Sequence, residues 1–286
     1  MNAAPATPAV PGPGRKLKFT HIVLFFFILL VGVFVANVIN PAGTQREYLR
    51  FAGWWYERWP LSQGADIFFR VTQTILTTGI WEVTETGYMN NHLKPGDVFV
   101  DVGAHVGYYT LLAAKLVGES GKVIAVEPNP PTIVRLERDI ALNPFRNIVV
   151  RKVACTDKET TLKFFQAPVE NTGESSINKS NAREGAEISV PGVPLDKIVQ
   201  ELGIKRVDLV KIDVEGAEMS VLGGMTDIIA TYHPKVAIEL KDNLLKNMGS
   251  SLEAVKELFM RDGYTLEQFD GIDNYYWAPG PQPGAR

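Results

Sequence analysis

The 286-residue sequence is short of several things, and each shortage excludes a class of protein. It has one cysteine, Cys155, so no disulfide can form within the chain. A reducing, cytosol-like compartment fits that usage. It has four histidines and no run of closely spaced metal ligands. It has no excess of basic charge: the formal net charge is −3, with none of the positive surplus that marks a nucleic-acid binder. No partner of that kind is expected. Heptads and repeats of solenoid period are missing as well. One motif is also incomplete. "GAHVG" (103–107) follows a strand-like run but lacks the middle glycine of G-x-G-x-x-G, the spacing that brings backbone against a pyrophosphate.

What is present begins with a composition of 45% hydrophobic and 21% charged residues, an ordinary globular balance. Residues 1–18 are rich in Ala and Pro and read as a disordered tail. Residues 19–39 form an almost uncharged apolar run behind Arg15, Lys16 and Lys18. About 20 apolar residues cross a bilayer, so this run is expected to be a transmembrane helix. A cleaved signal peptide and a buried helix are the rival readings. Residues 40–80 are expected to be a juxtamembrane linker. Its aromatic cluster Trp54, Trp55, Tyr56 and Trp59 would lie at the headgroups or pack on the following domain. The basic residues on the two sides of the run are balanced, so charge does not orient it. The expected localisation is a membrane, with a single-pass N-terminal anchor and the domain that follows facing the cytosol. The expected partners are the lipid bilayer and a small-molecule, glycan or lipid-linked acceptor.

From 81 to 278 apolar strand-like runs alternate with helical spacing, and 279–286 reads as a flexible tail. The strand-like runs are 97–103, 122–128, 147–154, 207–216 and 235–241. Nearly continuous apolar strands are those buried on both faces. Alternation with helices predicts a doubly wound α/β fold with a mostly parallel sheet. The end of the chain, across Gly271, predicts an antiparallel hairpin. A further strand at 160–167 is expected to pair with 188–190, and 168–194 is the longest irregular piece.

In such a sheet, ligands sit beyond the carboxyl ends of the strands. Gly103 and Gly107 allow a tight turn there and a helix start close to the strand. Glu127 ends the next strand, where a carboxylate can accept both vicinal hydroxyls of a ribose. Asp101 in the turn would repel a pyrophosphate and favour a ligand bearing positive charge. S-adenosylmethionine, with its ammonium and sulfonium, fits that pattern.

"FVDVGAHVGYYTLLAA", "VIAVEPNP" and "VDLVKIDVEGAEMSVLGGM" resemble the blocks of the FkbM-type family of class I S-adenosylmethionine-dependent methyltransferases. The likeness spans 81–276. It implies a seven-stranded Rossmann-like sheet with a reversed final hairpin, and O-methylation of natural products or sugars. It also implies roles. Asp101, Gly103, Ala104 and Gly107 would line the methionine end of the cofactor, with His105 beside them where the family often has Asn. Glu127 would hold the ribose, Pro128 and Asn129 would shape the adenine side, and Ala154 and Cys155 would flank the adenine. Asp213 would lie beside the methyl group.

For an alcohol acceptor a base within reach assists. Asp213, Glu215 and Glu239 are the candidates. Asp213 with Glu239 could instead hold Mg²⁺, although no metal is expected. An NAD-dependent oxidoreductase and a catalytically silent scaffold are the rival functions.

Overall fold

The computed structural model describes residues 81–167, 173–182 and 185–281. The order of elements is α1 (Val83–His92), β1 (Val98–Val102), α2 (Tyr108–Val117), β2 (Lys122–Val126), α3 (Pro130–Ala141) and β3 (Ile148–Arg151). There follow β4 (Ala154–Cys155), β5 (Thr160–Phe165), β6 (Glu187–Val193), α4 (Leu195–Glu201) and β7 (Leu209–Ile212). The chain continues with α5 (Glu218–Gly223), α6 (Thr226–Tyr232), β8 (Lys235–Glu239), α7 (Asp242–Asn247) and α8 (Leu252–Arg261). It closes on β9 (Tyr264–Phe269) and β10 (Asn274–Pro279).

Seven strands form one sheet in the order β3-β2-β1-β7-β8-β10-β9. β3, β2, β1, β7 and β8 are parallel, and β10 runs antiparallel to both β8 and β9. This is the predicted α/β sheet with its reversed hairpin. β10 extends one residue past the expected domain end, to Pro279.

Both faces of the central strands are covered, which is why their sequences are nearly continuous apolar runs. Val98, Val100, Val102, Val210 and Ile212 pack with Ile198 of α4, Val221 of α5, Ile228 of α6 and Phe259 of α8. Phe99, Val123 and Leu209 point the other way, onto Tyr88 of α1 and Tyr109 and Ala113 of α2. Each large apolar side chain buried this completely is worth about 1.5–3 kcal/mol relative to exposure.

The predicted third strand, 147–154, is two pieces. β3 ends at Arg151, and β4 joins a separate three-stranded sheet in the order β4-β6-β5. The pairing of β5 with β6 is antiparallel and includes 188–190, as expected. His233 ends α6 with a φ of 48°, a left-handed cap just before Pro234. Short helices α1, α6 and α7 are additions to the predicted pattern.

The expected localisation is corrected. Among the described residues no helix is long and apolar enough to cross a membrane. The longest, α3, has 12 residues, where a span needs about 20. The run 19–39 and the linker 40–80 lie outside the described residues.

Candidate active site

Strand parity and register assemble the site. β1 sends Phe99 and Asp101 to the same side of the sheet, and Asp101 is the register partner of Lys211 on β7. Ile212 pairs with Ile238, so the residues that follow, Asp213 and Glu239, leave adjacent strands at one level. The carboxyl ends of β1, β2, β7 and β8 thus bring together residues more than a hundred positions apart.

The β1–α2 turn depends on glycine. Gly103 has a φ of 83°, and a Cβ there would collide with the carbonyl oxygen of Asp213 and lie 2.9 Å from its carbon. The glycine therefore lets β1 and β7 end close together, a reason the motif alone does not reveal. Gly107 has a φ of 94°, and its Cβ would meet the Leu136 side chain of α3 at 2.5 Å. Ala104 is buried between them.

His105 has a φ of 49°. Asn, Asp and His tolerate this left-handed region better than other residues with a Cβ. That accounts for His where Asn is usual, without assigning the imidazole a reaction. Burial pushes its pKa down to about 4, so the ring is neutral. The His105 backbone N–H donates to Glu127 Oε2 (2.9 Å) and the Asn129 N–H to Glu127 Oε1 (2.8 Å). Glu127 thereby ties the β1–α2 turn to the β2–α3 turn. Each oxygen retains a further lone pair, as two vicinal hydroxyls require. Burial raises its carboxyl to about 7, against those two N–H groups.

Pro128 is partly exposed, and Asn129 is buried with its side chain engaged. Asn129 Oδ1 accepts from Gln166 Nε2 (2.7 Å), and its Nδ2 donates to Ser175 Oγ (3.5 Å). Ala154 and Cys155 are buried on β4, in the small sheet and not at the end of a main-sheet strand. Burial pushes the Cys155 thiol up to about 12, so it stays protonated. Only packing and backbone remain for these two toward a ligand.

Asp101 is 1% exposed. Its Oδ2 accepts from Thr110 Oγ1 (2.6 Å), and its Oδ1 has no hydrogen-bond partner among the described residues. Next to it Lys211 is buried, with Nζ 3.2 Å from Asp213 Oδ2 and 5.0 Å from the centre of the Tyr109 ring. Burial disfavours the Lys211 ammonium, but Asp213, Glu85, Asp101 and Glu82 around it hold its pKa above the ordinary value. Four carboxyl groups thus surround one ammonium. Glu85 is buried on α1, and burial raises its pKa to about 8, with Lys211 opposing. Tyr109 Oη donates to Glu82 Oε2 (2.6 Å), fastening the start of α1 over this cluster.

On the β7–β8 side, Asp213, Glu215 and Glu239 each offer an oxygen within 4.8 Å of the others. That spacing could hold a divalent cation, but two lysines already supply positive charge. Lys211 bridges to Asp213, and Lys241 Nζ lies 3.3 Å from Glu215 Oε1 and 3.0 Å from Glu239 Oε2. Burial opposes ionisation of Asp213, yet Lys211 and a hydrogen bond with Glu239 hold its pKa below the usual carboxylate value. Glu239 is pushed to about 9, by burial and then by the Asp213 charge. At neutral pH Asp213 is ionised and Glu239 carries the shared proton. Burial and the Asp213 charge also raise Glu215.

The residues expected from the sequence therefore cluster, apart from the side chains of Ala154 and Cys155. Sequence reasoning missed Glu85, Tyr109, Lys211 and Lys241. Lys211 left one signal: a lone charge inside the apolar strand "LVKI".

The site suits a ligand with a cationic end. The unpartnered Asp101 Oδ1 and the spare lone pairs of Glu127 match the ammonium and ribose of S-adenosylmethionine.

Comparison with known proteins agrees with this chemistry. The model of the methyltransferase FkbM domain family matches residues 101–270. AMB antimetabolite synthetase AmbE of Pseudomonas aeruginosa is 27% identical over 64% of this chain, which spans only 10% of that protein. Hexuronic acid methyltransferase AglP of Haloferax volcanii is 26% identical over 48% of this chain and 53% of its own length. 31-O-demethyl-FK506 methyltransferase FkbM of Streptomyces tacrolimicus is 28% identical over 61% of this chain and 75% of its own. The family match covers more than half of the sequence, and the chain belongs to the methyltransferase FkbM domain family, with S-adenosylmethionine as methyl donor.

Proposed function

We propose that this methyltransferase acts on a hydroxyl of a small polyhydroxylated acceptor, with a sugar as the favoured class. The observation that carries the reading is the Asp213–Glu239 pair, one carboxylate and one carboxylic acid side by side at the carboxyl ends of β7 and β8. The similarity to a hexuronic acid methyltransferase supports a sugar.

When bound, S-adenosylmethionine supplies an electrophilic methyl carbon, and its sulfur keeps the C–S electron pair as the new C–O bond forms. The chain aligns the partners and manages one proton. Glu127 holds the ribose hydroxyls. Asp101 offers its unpartnered Oδ1 to the methionine ammonium while Thr110 fixes its other oxygen. Asp213, ionised beside Lys211, accepts the hydroxyl proton as the oxygen loses electron density. Glu239 keeps Asp213 oriented through their hydrogen bond, and Lys241 with Glu215 forms the polar wall next to it. The missing middle glycine of 103–107 disfavours the pyrophosphate that an NAD-dependent oxidoreductase would place against this turn.

Calorimetry of S-adenosylmethionine with the full chain tests the cofactor site, and a silent scaffold would show no binding. Asp213→Asn removes the proton acceptor at nearly constant shape. Transfer to a panel of glycosides and uronic acids, read by mass spectrometry, is expected to fall about 10²–10⁴-fold. Binding is expected to persist within severalfold. Undiminished transfer in Asp213→Asn sinks the proposed mechanism.

A further inference from the structure

The segment 173–182, far from either strand in sequence, is tied to both ends of the pocket. On the Glu127 side, Ser175 Oγ accepts from Asn129 Nδ2 (3.5 Å) and from the Ala167 backbone N–H (2.9 Å). On the β7–β8 side, two of its residues meet one carbonyl. Ser176 Oγ donates to the Glu215 oxygen at 3.0 Å, and Asn181 Nδ2 donates to the same oxygen at 3.1 Å. Ser176 is 1% exposed, so this contact is sheltered from water.

Asn181 does more than hold one loop. Its Nδ2 also donates to the Leu244 carbonyl of α7 at 3.1 Å. An amide nitrogen has two hydrogens, and here each has its own acceptor. Asn247 Nδ2 donates to Asn181 Oδ1 at 2.7 Å, which fixes the amide's orientation. Asn178 Nδ2 in turn donates to the Asn247 carbonyl at 2.8 Å. The amide thus clamps the segment that follows β7 to the segment that follows β8.

The clamp acts where the backbone is strained. Glu215 has a φ of 51°, a region costly for a residue with a long side chain. Such a conformation persists only where its surroundings impose it. The two donors on its carbonyl impose it here, and Lys241 holds its carboxylate. The next residue, Gly216, has a φ of 102°, and a Cβ there would strike Asn181 Nδ2 and lie 2.9 Å from the Leu244 oxygen. The glycine of "KIDVEG" therefore makes room for the asparagine.

We propose that Asn181 is a positioning residue for methyl transfer: by holding the Glu215 and Leu244 carbonyls together it sets the Glu215–Lys241–Glu239 bridge that faces the acceptor. This rests on the reading of that bridge as the acceptor side. The role belongs to Asn181 through Glu215, since its own amide is fully engaged with protein groups.

The test needs no acceptor. The full chain is labelled with ¹³C in glutamate, and backbone and carboxyl signals are followed by NMR across pH. In Asn181→Ala the Glu215 backbone shifts are expected to leave their left-handed pattern. The titration midpoints of Glu215 and Glu239 are expected to move by about half a pH unit or more as Lys241 is released. The backbone signals of Glu253 on α8 should stay in place. Asn181→Leu, which keeps the size and adds no charge but loses the donor, is expected to give the same displacement, and it replaces the alanine variant if that fails to fold. Glu215 and Glu239 signals that stay at their original positions in a folded variant overturn the proposal. Calorimetry with S-adenosylmethionine on the same samples separates the two readings. An unsubstituted chain that does not bind it loses the methyl-transfer reading. A chain that binds it, with unmoved glutamate signals in the variants, loses only the role of Asn181.

Discussion

The β1–β2 end of the pocket and the β7–β8 end hold their functional groups by different means. At the first, backbone does most of the work. Glu127 is gripped by two backbone N–H groups, His105 and Gly103 sit in left-handed turns, and Asp101 is buried against Thr110. At the second, side chains from separate segments balance one another: Asp213 with Lys211, and Glu215 with Lys241, beside the protonated Glu239. A backbone-built site tolerates change badly but needs few partners. A side-chain site keeps its shape only while each charge keeps its counterpart. The first arrangement suits a cofactor that never varies, and the second suits an acceptor that differs among relatives.

Substitutions can break that contrast, and the largest effect belongs to the backbone side. Gly103→Ala forces a Cβ into the Asp213 carbonyl at a φ of 83°, and backbone cannot step aside as a side chain can. A loss of about 3 kcal/mol or more is expected, read as a collapse of the thermal transition. Gly107→Ala, which meets the tip of Leu136, should lose visibly less. If the two cost the same, close approach of β1 and β7 is not what Gly103 provides.

Next comes Glu127→Gln. The amide presents a donor to one of two N–H groups and leaves that group unsatisfied. Affinity for S-adenosylmethionine is expected to fall about 10–100-fold by calorimetry. Unchanged affinity would mean that Glu127 only braces the turns.

A milder change sharpens the side-chain end. Glu239 is pushed to about 9, so it holds its proton through neutral pH and loses it on the alkaline side. The pH profile of kcat/KM is expected to decline on the alkaline side as that proton leaves, because Asp213 then loses the hydrogen bond that orients it. Glu239→Gln should remove the alkaline limb. A limb that survives in that variant belongs to another group.

The last effect concerns stability and its pH dependence. Burial raises Glu85 from 4.5 to about 8, so the folded state binds its proton more tightly than the unfolded state does. The wild type therefore loses stability as pH climbs from 4.5, and the loss is complete near 8. Glu85→Gln should melt higher than wild type, with the gain growing across that window and then levelling off. A variant that melts lower throughout would show that the ionised carboxylate is needed by Lys211.

Legibility follows the same division. Asp101, Gly103, Ala104, His105 and Gly107 lie in one short stretch, and Glu127 ends the next strand, so a linear pattern carries them. Lys211 showed only as a charge in an apolar strand. Glu85 and Asn181 carry no local mark. Nothing in "VTETGYMNNH" says that its glutamate will be buried over Lys211, and nothing in "INKSNA" says that its asparagine will meet Glu215. The break at the end of β3 was hidden too, because apolar spacing is the same in a strand that continues and in one that changes sheets.

The sequence by itself determined the alternating α/β architecture, the reversed hairpin, the glycine turn and the acidic strand end. Those depend on residue type at short, regular spacing, which packing of both sheet faces converts directly into fold. Only the tertiary structure decided which carboxylate is ionised, which holds the proton and which asparagine holds the loops together. Such properties depend on the distance between charges and on exclusion of water, and parallel strand order brings Asp101, Lys211 and Glu239 to one end of the sheet from distant parts of the chain.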